Sequence, residues 1–224
     1  MDDIKGFGIM ILPKEKNNLK LIFMTIIIAL KDKRNKRIIF GSDRGETVGQ
    51  YTETCPCKII TKEIQIVDAY FNEIDTKDIY IGVAGAGFLI NYLDHVFQLP
   101  DLDEKQDFIE YLYNNFLEDL REELLDKKML GTHKEIFDSD SNMIIVFDGE
   151  IYEIQSNFTI HKIDKDYSAI GSGWLIAIGS LYTNLHYHPY LDREDVVRQA
   201  LTTCGVNTIY CDTNLDLKII DTHE

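Results

Sequence analysis

The stretch "LIFMTIIIALKDKRNKRIIFGSD", residues 21–43, constrains the fold of this chain more than any other segment. Its first ten residues are uncharged and mostly β-branched or bulky, a composition that fits a strand. Apolar residues fall on both faces of "TIIIAL", so the strand needs cover on both sides. The charged turn "KDKRNKR" and a second apolar run, "RIIFGSD", complete a hairpin.

The rest of the chain supplies the layers. "DIYIGVAG" (78–85) reads as a strand ending in glycines, and "FLINYLDHVFQL" after it has helical character. A clear amphipathic helix is expected from Asp103 to Lys128. Ile109, Leu112, Phe116, Leu120 and Leu124 lie on one stripe, with Asp103 and Glu104 at the start and Gly131 beyond the end. "SNMIIVFDGEIYEIQ" is a hairpin with a "DG" turn. "WLIAIGSLYTNL" and "DREDVVRQALTTC" are two further helices, and "VNTIYCD" and "LDLKII" close the chain as strands. Strands, two helices, strands, two helices, strands: the segregated order predicts an α+β sandwich, not a regularly alternating parallel sheet.

Composition narrows the function classes. The net charge of -15 argues against a nucleic-acid partner, because phosphate binding needs clustered Lys and Arg. Four cysteines in 224 residues are too few for a disulfide framework. The acidic start "MDDIKGFGIMILPKEK" carries no signal-peptide core, and the longest apolar run is about half a membrane span. A cytoplasmic location with no membrane association is expected.

Several side chains invite chemistry. With the first turn centred on Arg34 and Asn35, antiparallel pairing sets Thr25 opposite Arg44 and beside Asp43, so a hydroxyl and a carboxylate meet at a buried strand end. "GVAGAGF" between a strand and a helix has the look of a phosphate loop, but its spacing is not G-x-G-x-x-G, and a tight turn explains it more simply. Ser172 in "IGSGW" is either a helix cap or a site donor. Cys55-Pro-Cys57 and His186-Tyr-His188 match no zinc spacing.

Taken together, from Thr25 to about Ile220, these pieces resemble the proteasome β-subunit superfamily of N-terminal nucleophile hydrolases, nearest to the peptidase subunit of the bacterial two-component ATP-dependent protease. "MT" plus a strand, "GSDRGETVG", a following lysine, "VAGAG", "AIGSG" and "EDVVRQALTTCGVNTIYCD" occur in family order. The resemblance implies a four-layer αββα sandwich over 25–224, with residues 1–24 as a leader, propeptide or misassigned extension. It implies Thr25 as nucleophile, Asp43 and Lys58 as the charged pair beside it, Gly85 as oxyanion donor and Ser172 as the neighbouring serine. Thr47, Val83 and Gly87 would fall around the substrate pocket. A Na, K or Mg ion would sit on backbone carbonyls of Gly205, Thr208 and Cys211, with no other cofactor required. Unfolded protein or peptide would be the substrate, in a homo-oligomeric ring fed by an ATP-dependent unfoldase.

The chemistry is coherent with these residue types. An N-terminal threonine carries a hydroxyl nucleophile and an α-amine base with a pKa near 8 in one residue. A backbone donor aimed at the oxyanion contributes about 3 kcal/mol to the transition state. The sequence also departs from the family: Met24 precedes the threonine where glycine is usual, Ile26 replaces a second threonine, the Asp43–Lys58 interval is one residue short, and Val206 stands where an aspartate is frequent. Those departures motivate a second reading, a catalytically inactive subunit with an assembly role. An amidase of small molecules on the same fold is a third.

Overall fold

Residues 25–48, 51–54, 57–127, 131–133, 136–138, 141–208 and 211–222 are described in a computed structural model, and the expected leader, 1–24, lies outside them. The hairpin forms as the sequence requires. Strands β1 (Ile26–Asp32) and β2 (Arg37–Asp43) pair antiparallel, Ile27 opposite Ser42 and Asp32 opposite Arg37. The same register carried back two residues sets Thr25 against Arg44. Asp32 closes the turn by accepting from Asn35 Nδ2 at 2.7 Å and Arg37 Nε at 3.0 Å.

A short hairpin of β3 (Gly45–Val48) and β4 (Tyr51–Thr54) follows, then the long pair β5 (Ile59–Val67) and β6 (Glu73–Ala84). Helix α1 (Gly87–His95) turns back over them. The next helix starts later than its acidic residues suggest. Leu102–Asp103 forms a small strand, β7, parallel to β5, and the cap is Asp107, whose carboxylate accepts from the N–H groups of Ile109 and Glu110. The helix then runs as α2 (Phe108–Tyr111), a π-helical turn (Leu112–Phe116) and α3 (Leu117–Asp126).

Two three-residue strands, β8 (Gly131–His133) and β9 (Ile136–Asp138), precede β10 (Asn142–Phe147) and β11 (Glu150–Ile154). The "DG" turn between the last two has φ of 49° at Asp148 and 75° at Gly149, the left-handed pair that a tight hairpin demands. Strands β12 (Ile160–Lys162) and β13 (Tyr167–Gly171) lead into helices α4 (Trp174–Tyr187) and α5 (Arg193–Asn207), and β14 (Leu215–Asp221) ends the fold. Of "VNTIYCD", read as a strand from its composition, Ile209 and Tyr210 lie outside the described residues, and its first three residues belong to the helix end. Val206 and Asn207 complete α5, and Thr208 caps it, its N–H and Oγ1 both bonding to the Cys204 carbonyl.

The strands form two principal sheets, in order β13-β1-β2-β14 and β12-β11-β10-β6-β5-β7. Three apolar cores hold four layers together. Ile26, Ile28, Leu30 and Ile39 face α4 and α5, while Ile27, Ala29, Ile38 and Phe40 meet Ile59, Ile144, Val146 and Ile151 of the other sheet. Ile64, Ile81, Val83 and Ile145 on that sheet's far side pack under α1, α2 and α3. The double-sided apolar pattern of β1 is thus the signature of an inner strand in an αββα stack. The sheets touch closely at Gly82, where a Cβ would lie 2.7 Å from the Phe40 ring. No helix among the described residues is long and apolar enough to cross a membrane.

Candidate active site

β1 begins where three other segments converge: the end of β2, the start of β5 and the turn from β13 into α4. Thr25, immediately before β1, is buried. Its N–H donates to Ser172 Oγ at 3.4 Å, and the same hydroxyl donates to the Thr25 carbonyl at 3.3 Å. Ser172 therefore reads both polar groups of the Thr25 backbone. Gly171 makes the approach possible. Its φ is +99°, and a Cβ there would fall 2.1 Å from the Thr25 carbonyl oxygen. No other residue type fits at that place.

Asp43, at the end of β2, is fully buried and uses both oxygens. Oδ1 accepts from the Ile26 N–H and from Lys58 Nζ, each at 2.9 Å. Oδ2 accepts from the N–H groups of Gly45 at 3.2 Å and Asp212 at 2.9 Å. Lys58 Nζ also donates to the Gly45 carbonyl. A buried carboxylate with four donors, one of them a cation, is held in a single orientation. It grips the peptide that follows Thr25 on one side and the ammonium on the other.

The turn after α5 closes the site from behind. The Asp212 carboxylate binds the N–H groups of Thr213 and Asn214 and the Asn214 amide, which fixes the backbone N–H it offers to Asp43. Burial pushes the Cys204 thiol up to about 12, with the neighbouring Cys211 adding to the shift. Burial also raises Cys211, against hydrogen bonding to Thr208 and Ser172. Both thiols are poor nucleophiles at neutral pH.

The fold thus brings Thr25, Asp43, Lys58 and Ser172 together. Val83 is buried in β6, Gly85 follows it with φ +143°, and Gly87 starts α1. The Ala86 N–H between these glycines is held by Ser141 Oγ at 2.9 Å. Thr47 lies in β3, and its side chain is outside the description. Gly205 is in the last turn of α5, with Thr208 capping it and Cys211 beyond. A Cβ on Gly205 would meet the Asp212 carbonyl oxygen at 2.6 Å. Among the described residues no group of three His, Cys, Asp or Glu side chains could hold a metal. Gly171, Ser141 and Asp212 had no place in the sequence-derived set. Two act through backbone geometry, and Ser141 is one of two serines in "DSDSN", with nothing in the sequence to single it out.

No family model matches the chain, and no curated protein matches it significantly. Solved structures do. BPH of Thiobacillus denitrificans, solved in complex with epoxomicin, superposes with a TM-score of 0.66 at 18% identity over 89% of this chain and 100% of its own. Eukaryotic HslV from Trypanosoma brucei gives 0.56 at 17%, over 88% and 99%. Anbu, an ancestral beta-subunit from Yersinia bercovieri, gives 0.60 at 15%, over 88% and 81%. At these identities the likeness establishes a shared fold.

Proposed function

From the proteasome-like N-terminal nucleophile hydrolase fold, we propose that this chain is a threonine peptidase whose nucleophile is Thr25 once the residues before it are removed. The observation that carries the reading is Asp43 Oδ1 bonded at 2.9 Å both to the N–H that follows Thr25 and to Lys58 Nζ. That arrangement ties a cation to the peptide of the one residue with a hydroxyl and a potential α-amine. While residue 24 is attached, the Thr25 nitrogen is an amide and cannot take a proton. Freed, it serves as base for its own Oγ. The Thr25 Oγ attacks the scissile carbonyl, Lys58 stabilises the negative charge on that oxygen, and Gly85 is the candidate oxyanion donor. Water then releases the acyl group. Ser172 orients the amine throughout.

The substrate class is unfolded protein or peptide, and the assembly is a closed ring of identical subunits served by an ATP-dependent unfoldase. The subunit-like neighbours support the first two. A Na, K or Mg ion on the carbonyls of Gly205, Thr208 and Cys211 belongs to the same reading. Such an ion would brace that turn without entering a step.

The test is covalent. Protein beginning at Thr25 should gain the mass of epoxomicin, the compound held by the T. denitrificans structure, and hydrolyse fluorogenic peptides. Thr25→Ala should do neither. A Thr25→Ala protein that retains hydrolysis removes the nucleophile assignment. An unlabelled, inactive parent supports the inactive-subunit reading, which the Met24 junction favours.

A further inference from the structure

Beside the candidate nucleophile lies a cleft of about 920 Å³ that the chemistry above leaves unused. It starts at Ser172 and Gly171 and follows β13 back to Tyr167. β13 is the last strand of its sheet, paired only with β1 among the described strands. The Lys31 N–H donates to the Asp166 carbonyl at 2.6 Å. Antiparallel alternation then turns the backbone groups of Ser168 and Ile170 toward β1 and those of Tyr167, Ala169 and Gly171 outward, into the cleft.

We infer that this open edge binds the leaving half of the peptide substrate, the part on the carboxyl side of the scissile bond, as an added antiparallel strand. The inference rests on the peptidase reading. In acyl transfer the Thr25 Oγ proton passes to the α-amine and then to the departing nitrogen as the C–N bond breaks. The leaving half must therefore begin next to the Thr25 nitrogen, and that nitrogen is 3.4 Å from Ser172 Oγ at the mouth of the cleft. From there the leaving half runs away from the site in its N-to-C direction, while β13 runs toward the site. The two are antiparallel, which is the favourable geometry for strand addition. The five residues of β13 match about five substrate residues at roughly 3.4 Å each.

The walls specify what fits. Residues opposite Ala169 and Gly171 project to the helix side, where Trp174 and Ile178 line the cleft. The residue between them projects toward the other sheet, where Glu153 and Lys162 line it. Preferred leaving halves alternate apolar with polar side chains.

Two substrates with one acyl half test this: a peptidyl aminomethylcoumarin, and an internally quenched peptide carrying Leu-Ser-Leu-Ser-Leu on the leaving side. Both are offered to protein whose first residue has been located by intact mass. The extended substrate is expected to have kcat/KM at least tenfold higher. N-methylating its backbone should lower that value about fivefold at alternate positions only. Ala169→Pro removes an outward N–H and spares the β1 ladder, and it should erase the advantage of extension while leaving coumarin release intact. If coumarin release proceeds but extension and N-methylation change nothing, the groove assignment is wrong and the peptidase reading stands. A cleft covered by a neighbouring copy would give the same flat result and overturn the groove assignment equally. If neither substrate is cleaved and epoxomicin does not label, both readings fall.

Discussion

Asp43 is the residue on which the candidate site turns, because its two oxygens join four segments of the chain. Its partner Lys58 is buried too, with 6% of its side chain accessible. Asp43→Ala takes the carboxylate away from that buried ammonium, and a loss of about 3–5 kcal/mol in chemical denaturation is expected. Asp43→Asn keeps an acceptor for the Ile26 N–H but removes the charge beside Lys58, so peptide hydrolysis should fall far more than stability does. An Asn variant that matches the parent in kcat would separate Asp43 from the chemistry. Thr25, Asp43 and Ser172 stood out in their own segments, as a threonine in a buried strand, an acid after the paired strand and a serine between glycines, whereas Lys58 entered only through the family resemblance. Asp212 and Gly171 were not legible, since one offers a backbone N–H and the other a missing Cβ. Gly171 has no side chain for a pattern to flag, and the Asp212 carboxylate holds only its own turn.

At the scale of the element, the β1–β2 hairpin was readable down to its register. A charged turn centred on Arg34 and Asn35 between two apolar runs sets which residues face each other. The long helix was readable in its stripe but not in its start, because Asp103, Glu104 and Asp107 are all plausible caps. The choice fell to the parallel pairing of Leu102–Asp103 with β5, a contact between segments 36 residues apart that local sequence does not encode. The hairpin turn carries its own pH dependence. Burial pushes the Asp32 carboxyl up, yet hydrogen bonds from Asn35 and Arg37 and the Arg37 charge outweigh it and hold the group below its ordinary value. A folded-state value below the unfolded one stabilises the protein above the unfolded pKa, near 4, and that contribution disappears as pH falls through the folded value. Urea midpoints measured from pH 7 down to 2 should drop on this limb. Asp32→Asn should lower the midpoint at neutral pH and flatten the acid limb. Parallel curves for parent and variant would show that the turn does not supply it.

For the whole molecule, the four layers account for the burial of β1, but they leave α4 with an unusual outer face. Only Ala177 and Leu181 of its fourteen residues are buried. Leu175 is 67% exposed, Tyr182 55% and Tyr187 65%, and Tyr190 beyond the helix extends the surface. Leu175 and Tyr182, seven residues apart, share one side of α4, and apolar exposure of this kind is characteristic of an interface between subunits; it is the face we assign to the proposed ring contact. The net charge of -15 opposes it. Copies with that charge repel one another at low ionic strength, and the repulsion is screened beyond a Debye length of about 8 Å at 0.15 M salt. Assembly is therefore expected to strengthen as salt rises from millimolar to physiological levels, the reverse of an association built on ion pairs. Leu175→Glu with Tyr182→Glu should abolish it, since two carboxylates at the centre of the face lose apolar contact and add repulsion. Light scattering coupled to size exclusion decides the matter at two salt concentrations, with circular dichroism confirming that the variant folds. A variant that keeps the parent's mass at both would place the ring contacts on some other face. An assembled parent that falls apart as salt is added would mean that charge, not the apolar face of α4, holds the subunits together.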